Sequence, residues 1–376
     1  MRVAYTVRAF GILLALALVT PPLAAQPQPI YVGMAAPMTG DNAEYGQRVK
    51  EGIDLAFEEI NRAGGVLGRP LRLVVGDDKG DPKEAVAVAE KMVLDKRLVA
   101  MLGHFFSSAT IATAPIYNRA GMVQFAIAST NPKVAKAGPW TFRINVGDDF
   151  QARQLAEWTV TRFKKSRVGI LWDNTEYGKG FAQVFRDTVA EFGGKIVASE
   201  TFVSGQDKDF SVFLTKIRNA NPEVLALASY YSDAALIALQ ARKLGYTMPI
   251  IGGDGIYSPE AVKIAGQAFE GVIFPSHFVP TSTDPKVQAF LKAYRARYNK
   301  DPDQFAPYAY DAAYVLALAI KRSGKADRAA IRDALQAIRD YRGVTGLTDL
   351  SQRVVTGKRL PIVTIQGGQV VLYPVQ

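Results

Sequence analysis

Three short stretches of this chain carry side chains able to hold a small charged molecule. Two are Gly103-His104-Phe105-Phe106-Ser107-Ser108-Ala109-Thr110 and Ala128-Ser129-Thr130-Asn131-Pro132. Each follows an apolar run, Val99 to Leu102 or Val123 to Ile127, that reads as a buried strand. Hydroxyls at a strand's carboxyl end, beside the free N–H groups of a helix start, form a carboxylate receptor that needs no arginine. Ser107 and Thr130 are the candidates, with the backbone of Ala128 beside them. The same residue types also cap helices, and the residues alone leave both readings open. The third stretch is Ile251-Gly252-Gly253-Asp254-Gly255. Asp254 offers an acid to a cationic group and its glycines allow close approach, although Asp between glycines is also a turn residue. Tyr177 and Tyr230-Tyr231 follow further strand-like runs, where tyrosine rings either wall a ligand or fill a core. A carboxylate cradle facing an acid and tyrosines is the complement of a zwitterion.

Catalytic readings find little to build on. The 376 residues include no cysteine and only two histidines, His104 and His277, which removes thiolate chemistry, disulfides and most histidine-built metal sites. His104 and Ser107 are three apart on a strand-to-helix turn that does not hold them as base and nucleophile. His104 reads instead as a hydrogen-bonded support. No Gly-x-Ser-x-Gly elbow and no phosphate-cradling loop is present. The expectation is a binding protein with no catalytic residue, no metal and no cofactor.

The elements that must position these residues alternate along the chain. Arg2, Arg8, the apolar run Phe10 to Val19 and Pro21-Pro22-Leu23-Ala24-Ala25 read as a signal peptide over residues 1–25, too short to span a bilayer. Its removal takes two arginines and no acids, lowering the net charge from +10 to +8. The remaining basic residues are scattered among acids, so a solvated surface is expected rather than a nucleic-acid site. Export without a lipid-bearing cysteine points to a free periplasmic protein. Short apolar strands separated by amphipathic helices follow: Tyr31 to Met34, Leu71 to Val75, Val99 to Leu102 and Val123 to Ile127, with helices over Tyr45 to Ala63, from Asp81-Pro82, and over Ser107 to Arg119. The series restarts with strands at Val168 to Trp172, Lys195 to Ser199, Val224 to Ala228 and Ile250-Ile251, separated by helices at Phe181 to Phe192, Phe210 to Asn219 and Ala234 to Leu244. Three more helices, Pro285 to Tyr298, Gln304 to Arg322 and Arg328 to Ile338, precede a hairpin around Gly367-Gly368. Two such series predict an α/β protein of two similar lobes, with the ligand at the strands' carboxyl ends.

In this order and spacing the motifs resemble the periplasmic leucine/isoleucine/valine-type binding proteins that serve ABC importers. The resemblance covers essentially all of the mature chain. It is carried by Ile30-Tyr31-Val32-Gly33 with Met38-Thr39-Gly40, Asp77-Asp78 with Asp81-Pro82, Gly103-His104 with Ser107-Ser108, Ser129-Thr130-Asn131-Pro132, Tyr177-Gly178-Lys179-Gly180, Tyr230-Tyr231, and Tyr308 with Tyr310-Asp311-Ala312. It implies two Rossmann-like lobes with parallel-sheet cores, joined by three crossovers and closing on the ligand. Residues 28–147 plus 276–353 would form lobe 1, and 148–275 plus 354–376 lobe 2. It also implies roles: Ser107, Thr130 and the Ala128 backbone on the ligand carboxylate, Asp254 on the ammonium, Tyr177 and Tyr230 closing over the ligand, and Tyr45 lining the mouth. Two positions depart from the family pattern: Phe105-Phe106 is bulky ahead of Ser107, and Asp254 stands where many relatives carry glutamate. The implied function is an importer's substrate-binding component for a branched-chain or related amino acid, working as a monomer with a membrane permease. An aromatic or aliphatic carboxylate or an amide as ligand, or a sensor role, is the alternative.

Overall fold

A computed structural model describes Met1 and residues 27–356 and 358–374; the expected signal peptide falls almost wholly outside the described residues. Strands β1 (Ile30–Ala36), β2 (Leu71–Asp77), β3 (Leu98–Gly103), β4 (Val123–Ala126) and β5 (Thr141–Arg143) form a parallel sheet in the order β2-β1-β3-β4-β5. The helices between them are α1 (Ala43–Arg62), α2 (Pro82–Leu94) and α3 (Ser107–Ala120). Local chemistry sets their ends. The Asp81 carboxylate accepts from the N–H groups of Lys83 and Glu84 at 2.7 and 3.1 Å, with Pro82 at the first helical position. The α1 helix stops at Gly64-Gly65; Gly65 has φ +76°, and a Cβ there would lie 2.2 Å from the Arg69 carbonyl oxygen.

The chain then crosses to a second sheet. After α4 (Asp148–Thr161) come β6 (Arg167–Asp173), α5 (Glu176–Glu191), β7 (Lys195–Phe202), α6 (Ser211–Asn219), β8 (Val224–Ala228), α7 (Tyr231–Lys243), β9 (Ile250–Gly252), α8 (Pro259–Ala265) and β10 (Ile273–Pro275). It crosses back for α9 (Pro285–Tyr298), α10 (Phe305–Ser323), α11 (Arg328–Gln336) and the small hairpin β11 (Tyr341–Gly343) and β12 (Gly346–Thr348). Here α10 packs on α1, and α11 lies against β3 and β4. A third crossing delivers β13 (Ile362–Gln366) and β14 (Gln369–Leu372), which extend the second sheet to the order β14-β13-β10-β9-β8-β6-β7. Its five strands β6 to β10 run parallel, and the terminal hairpin pairs antiparallel at one edge. Every residue of β3 and β8 is buried, which is why these strands read as unbroken apolar runs.

The three crossings lie side by side. Arg143 donates its N–H to the Arg353 carbonyl at 2.8 Å, and Val355 donates back to the Arg143 carbonyl at 3.2 Å. The Ser276 N–H reaches the Pro361 carbonyl at 2.9 Å. Three crossings this close would have to bend together in any movement of one sheet's body against the other.

The facing surfaces meet along a polar seam. The Tyr231 hydroxyl donates to the Asp41 carbonyl at 2.8 Å and Ser232 Oγ to Asn42 Oδ1 at 3.1 Å. The Glu176 N–H donates to Ser108 Oγ at 3.1 Å, and Lys133 pairs with the Glu176 carboxylate at 2.7 Å.

Candidate functional site

Six of the seven residues expected at the site line one cavity between the lobes. Ser107, Ala128 and Thr130 come from the first sheet's carboxyl ends, and Tyr177, Tyr230 and Asp254 from the second's. Phe105, Gly255 and Phe305 complete the lining. Both sheets therefore aim their strand ends at the same place, as parallel α/β sheets do.

The first lobe supplies an uncapped helix start between two hydroxyl-rich loops. No side chain caps α3, whose Ncap Phe106 is extended at φ −76° and ψ 142°, and the first backbone bond closing the helix comes from the Thr110 N–H to the Phe106 carbonyl. The N–H groups of Ser107 to Ala109 thus have no helical acceptor, and they carry the positive end of the helix dipole. Ser107 Oγ accepts from the Asn131 N–H at 3.2 Å, which ties the two hydroxyl-rich loops together. Behind them His104 supports the turn, as expected: Nδ1 lies 2.6 Å from Asp78 Oδ2 and Nε2 lies 3.2 Å from the Tyr117 hydroxyl. Its carbonyl accepts from Thr110 and Ser129 at 3.1 and 3.2 Å.

The second lobe supplies the acid. Asp254 is 2% exposed. Its Oδ1 accepts from Gln151 Nε2 at 2.9 Å and the Tyr177 hydroxyl at 3.3 Å, and Oδ2 lies 3.1 Å from His277 Nε2. The Asp254 carbonyl accepts from Gln304 Nε2 at 2.7 Å. His277 Nδ1 meets the Tyr308 hydroxyl at 3.2 Å, so both ring nitrogens have partners and Nε2 carries the proton that meets Asp254. Gln151 stands just past the first crossing, and His277 on the second. The acid expected to hold a ligand's ammonium is therefore bonded directly to residues at the crossings.

A second acid lies alongside. Gln151 Nε2 also donates to Asp148 Oδ1 at 2.8 Å, while Asp148 Oδ2 is buried without a partner. Burial pushes the Asp148 carboxyl well above the usual carboxylate range, and the Asp254 charge pushes the same way; Gln151, Thr130 and Arg143 pull against them. Burial likewise raises the hydroxyls of Tyr45, Tyr177 and Tyr230, keeping all three as neutral O–H donors.

The glycines beside Asp254 also make room within the protein. A Cβ at Gly253 would lie 2.3 Å from the Tyr177 hydroxyl oxygen and 2.6 Å from the Phe181 ring, and one at Gly255 would lie 2.9 Å from the Tyr177 ring. They admit Tyr177 to Asp254. Tyr45 needs a correction: it is fully buried and does not line the mouth. It stacks behind Phe105 at a centroid distance of 4.5 Å and 17° between planes. Its hydroxyl donates across the seam to the Gly255 carbonyl and accepts from the Tyr231 N–H at 3.1 Å. A ring pinned at its hydroxyl on the opposite lobe cannot face the opening. Tyr230 rather than Tyr231 reaches the cavity, because Tyr231 is the first residue of α7 and turns to Asp41 and Tyr45.

Several contributors escaped the sequence. Phe305 lines the cavity because Asp303 accepts from the N–H groups of Phe305 and Ala306 at 2.8 and 2.9 Å and fixes the start of α10. Asp148, Gln151 and His277 carry no sequence pattern that links them to Asp254. Only the second lone histidine in a histidine-poor chain was a signal. Among the described residues no group of three or more His, Cys, Asp and Glu side chains could hold a metal ion.

Known proteins resemble this chain in sequence and in fold. A family model described as "Periplasmic binding protein" matches residues 29–369. A Leu/Ile/Val-binding protein homolog 1 of Brucella abortus is 33% identical over 334 residues, 88% of each chain. A leucine-, isoleucine-, valine-, threonine- and alanine-binding protein of Pseudomonas aeruginosa is 34% identical over 312 residues, 82% of each. The crystal structure of the branched-chain amino acid transporter substrate-binding protein LivJ of Streptococcus pneumoniae, in complex with isoleucine, superposes with a TM-score of 0.85 at 34% identity, covering 91% of this chain and 97% of that one. With the two sheets, the three crossings and the interlobe cavity, these matches establish that the chain belongs to the periplasmic binding protein family.

Proposed function

We propose that this chain is the substrate-binding component of an ABC importer, capturing an aliphatic amino acid, branched-chain or related, between its lobes. The observation that carries the reading is the polarity of the cavity. An uncapped helix start with Ser107 and Thr130 on one lobe opposes Asp254 and the Tyr177 hydroxyl on the other. A ligand carboxylate fits the first and an ammonium the second, so one zwitterion bridges both lobes and favours their closure. The named relatives and LivJ support an amino acid over an aromatic acid or amide. The family is one of receptors rather than enzymes, and its place is the periplasm. Among the described residues no helix is long and apolar enough to cross a membrane, in keeping with a receptor that hands its ligand to a separate permease. The moving bodies are residues 28–147 with 276–353 and residues 148–275 with 354–376, and the receptor acts as a monomer. Thermal-shift and calorimetric titration of the mature protein with the twenty amino acids tests the reading. Saturable stabilisation by aliphatic amino acids is expected, because a ligand bound only by the native state raises its melting point. No response to any amino acid refutes it.

A further inference from the structure

We propose that lobe 1 carries a second ligand site, remote from the interlobe cavity, where four aromatic rings and the Glu59 carboxylate hold a small organic ammonium ion. The site is a cavity of about 350 Å³ bounded by α1, α9, α10 and the β11–β12 hairpin. That volume lies within the range of small-molecule pockets. Glu59 and Tyr45 both stand on α1, fourteen positions apart. At about 1.5 Å per residue this separates the cavity from the seam by about 21 Å along the helix axis.

Two tyrosines one turn apart on α10 spend their hydroxyls on a single carboxylate oxygen. Tyr310 and Tyr314 donate to Glu59 Oε2 at 2.6 and 2.7 Å. Burial and the bond to Glu59 push the Tyr314 hydroxyl up to about 12 and that of Tyr310 higher, so both remain donors. Among the described residues Glu59 Oε1 takes no hydrogen bond, and no lysine or arginine pairs with this carboxylate. Oε1 is thus an open acceptor for an ammonium N–H. The Tyr310 ring lies 5.0 Å from Phe290 and 4.8 Å from Tyr314, and Tyr341 completes the wall from the hairpin. The negative faces of such rings attract a cation within about 6 Å. Asp311 anchors that wall by accepting from the N–H groups of Val344 and Thr345 at 2.9 and 2.7 Å. A Cβ at Gly343 would lie 2.3 Å from Asp311 Oδ1, so glycine lets the hairpin approach α10. Lys286 and Arg342 also line the cavity, but both are exposed, and the Lys286 ammonium already donates to the Arg342 carbonyl. The acid and the rings, partly or wholly buried, form the floor and the two cations the rim. The cationic end of a ligand therefore points inward.

Calorimetry with 2-phenylethylammonium and its anionic counterpart 3-phenylpropionate tests the site on the mature protein, Glu59→Gln, Tyr341→Leu and Asp254→Asn. The unmodified protein is expected to bind the ammonium saturably, and the anion about tenfold or more weakly. Glu59→Gln should weaken the ammonium roughly 10- to 100-fold, the scale of a hydrogen bond to a charged group. Tyr341→Leu, which removes one ring, should weaken it about threefold or more. Melting curves report which variants are folded, and Tyr341→Leu reads the site should Glu59→Gln fold poorly. No saturable binding of the ammonium, or tighter binding of 3-phenylpropionate, overturns the proposal. A loss in Asp254→Asn that the folded Glu59 and Tyr341 variants do not share places the probe in the cleft and overturns it too. None of these results bears on whether the cleft takes an amino acid, which the titrations above decide separately.

Discussion

Replacing Asp254 by asparagine keeps its size while removing the charge expected to meet a ligand's ammonium. The carboxylate is almost wholly buried and takes hydrogen bonds from Gln151, Tyr177 and His277. These donors stabilise its charge through hydrogen bonds, and the ammonium would place a cation in direct contact with it. Removing one partner of a buried pair costs about 3–5 kcal/mol, or roughly two to three orders of magnitude in Kd at about 1.4 kcal/mol per tenfold. Asparagine also presents an N–H₂ group to neighbours that are themselves donors, either His277 or the Gln151–Tyr177 pair, which adds to the loss rather than offsetting it. Calorimetry at pH 7 with the best-binding amino acid reads the effect, and melting curves confirm that the variant is folded. A folded Asp254→Asn protein whose Kd stays within about fivefold of the unmodified one would refute the placement of the ammonium at Asp254.

Tyr45→Phe removes the hydroxyl that joins Gly255 and Tyr231 to the other lobe. Stranding buried partners costs about 1–3 kcal/mol, so ligand affinity should fall roughly 5- to 100-fold; small-angle scattering that finds the closed share undiminished counts against it. Gly253→Ala places a Cβ 2.3 Å from the Tyr177 hydroxyl oxygen, and overpacking of about 1–3 kcal/mol should push Tyr177 off Asp254 and weaken binding about tenfold. An unchanged Kd sinks that account. Burial raises the Asp173 carboxyl from an ordinary 3.8 to about 7, with Thr175 pulling it down. The folded chain therefore keeps a proton that the unfolded chain has released. This contribution to stability is present below pH 3.8 and is lost as pH rises through about 7. Asp173→Asn should gain on the unmodified protein across that window by a few kcal/mol, at about 1.4 kcal/mol per unit of displacement. A difference in melting temperature that stays flat with pH rules this out.

Central strands were legible because burial on both faces writes them as short apolar runs: Val99 to Leu102 and Val224 to Ala228 each fall inside a wholly buried strand, while Leu71 to Val75 falls inside the edge strand β2, where only Leu71 is buried. Helix starts were harder. The α5 helix begins at Glu176, five residues before the expected Phe181, because Thr175 Oγ1 accepts from the Gly178 N–H at 3.2 Å. That cap places Tyr177 in the first helical turn, aimed into the cleft. The short strand β5 carries too few residues for any periodicity. Ser107, Thr130 and Asp254, the residues expected at the cradle, could be singled out because each stands within four residues of a strand's carboxyl end. His277, Gln151 and Phe305 could not, because their relation to Asp254 exists only once three distant crossings and an antiparallel edge have formed. Tyr45 was misplaced for a related reason: its partner is the backbone of the other lobe, which no local pattern reveals.

The seam around Tyr45, Tyr231, Ser232 and Glu176 closes without enlisting any group on a ligand. A partner that reads only the outline of the receptor would therefore count empty closed molecules as false positives. Fidelity depends on how much rarer the empty closed form is than the filled one. The buried Asp254 carboxylate works against that empty form, because closure without a ligand cation leaves its charge met only by hydrogen-bond donors. On this arrangement the signal-to-noise of uptake depends on a group outside the seam, and the hydrogen bonds of the seam act only as the background against which it is read.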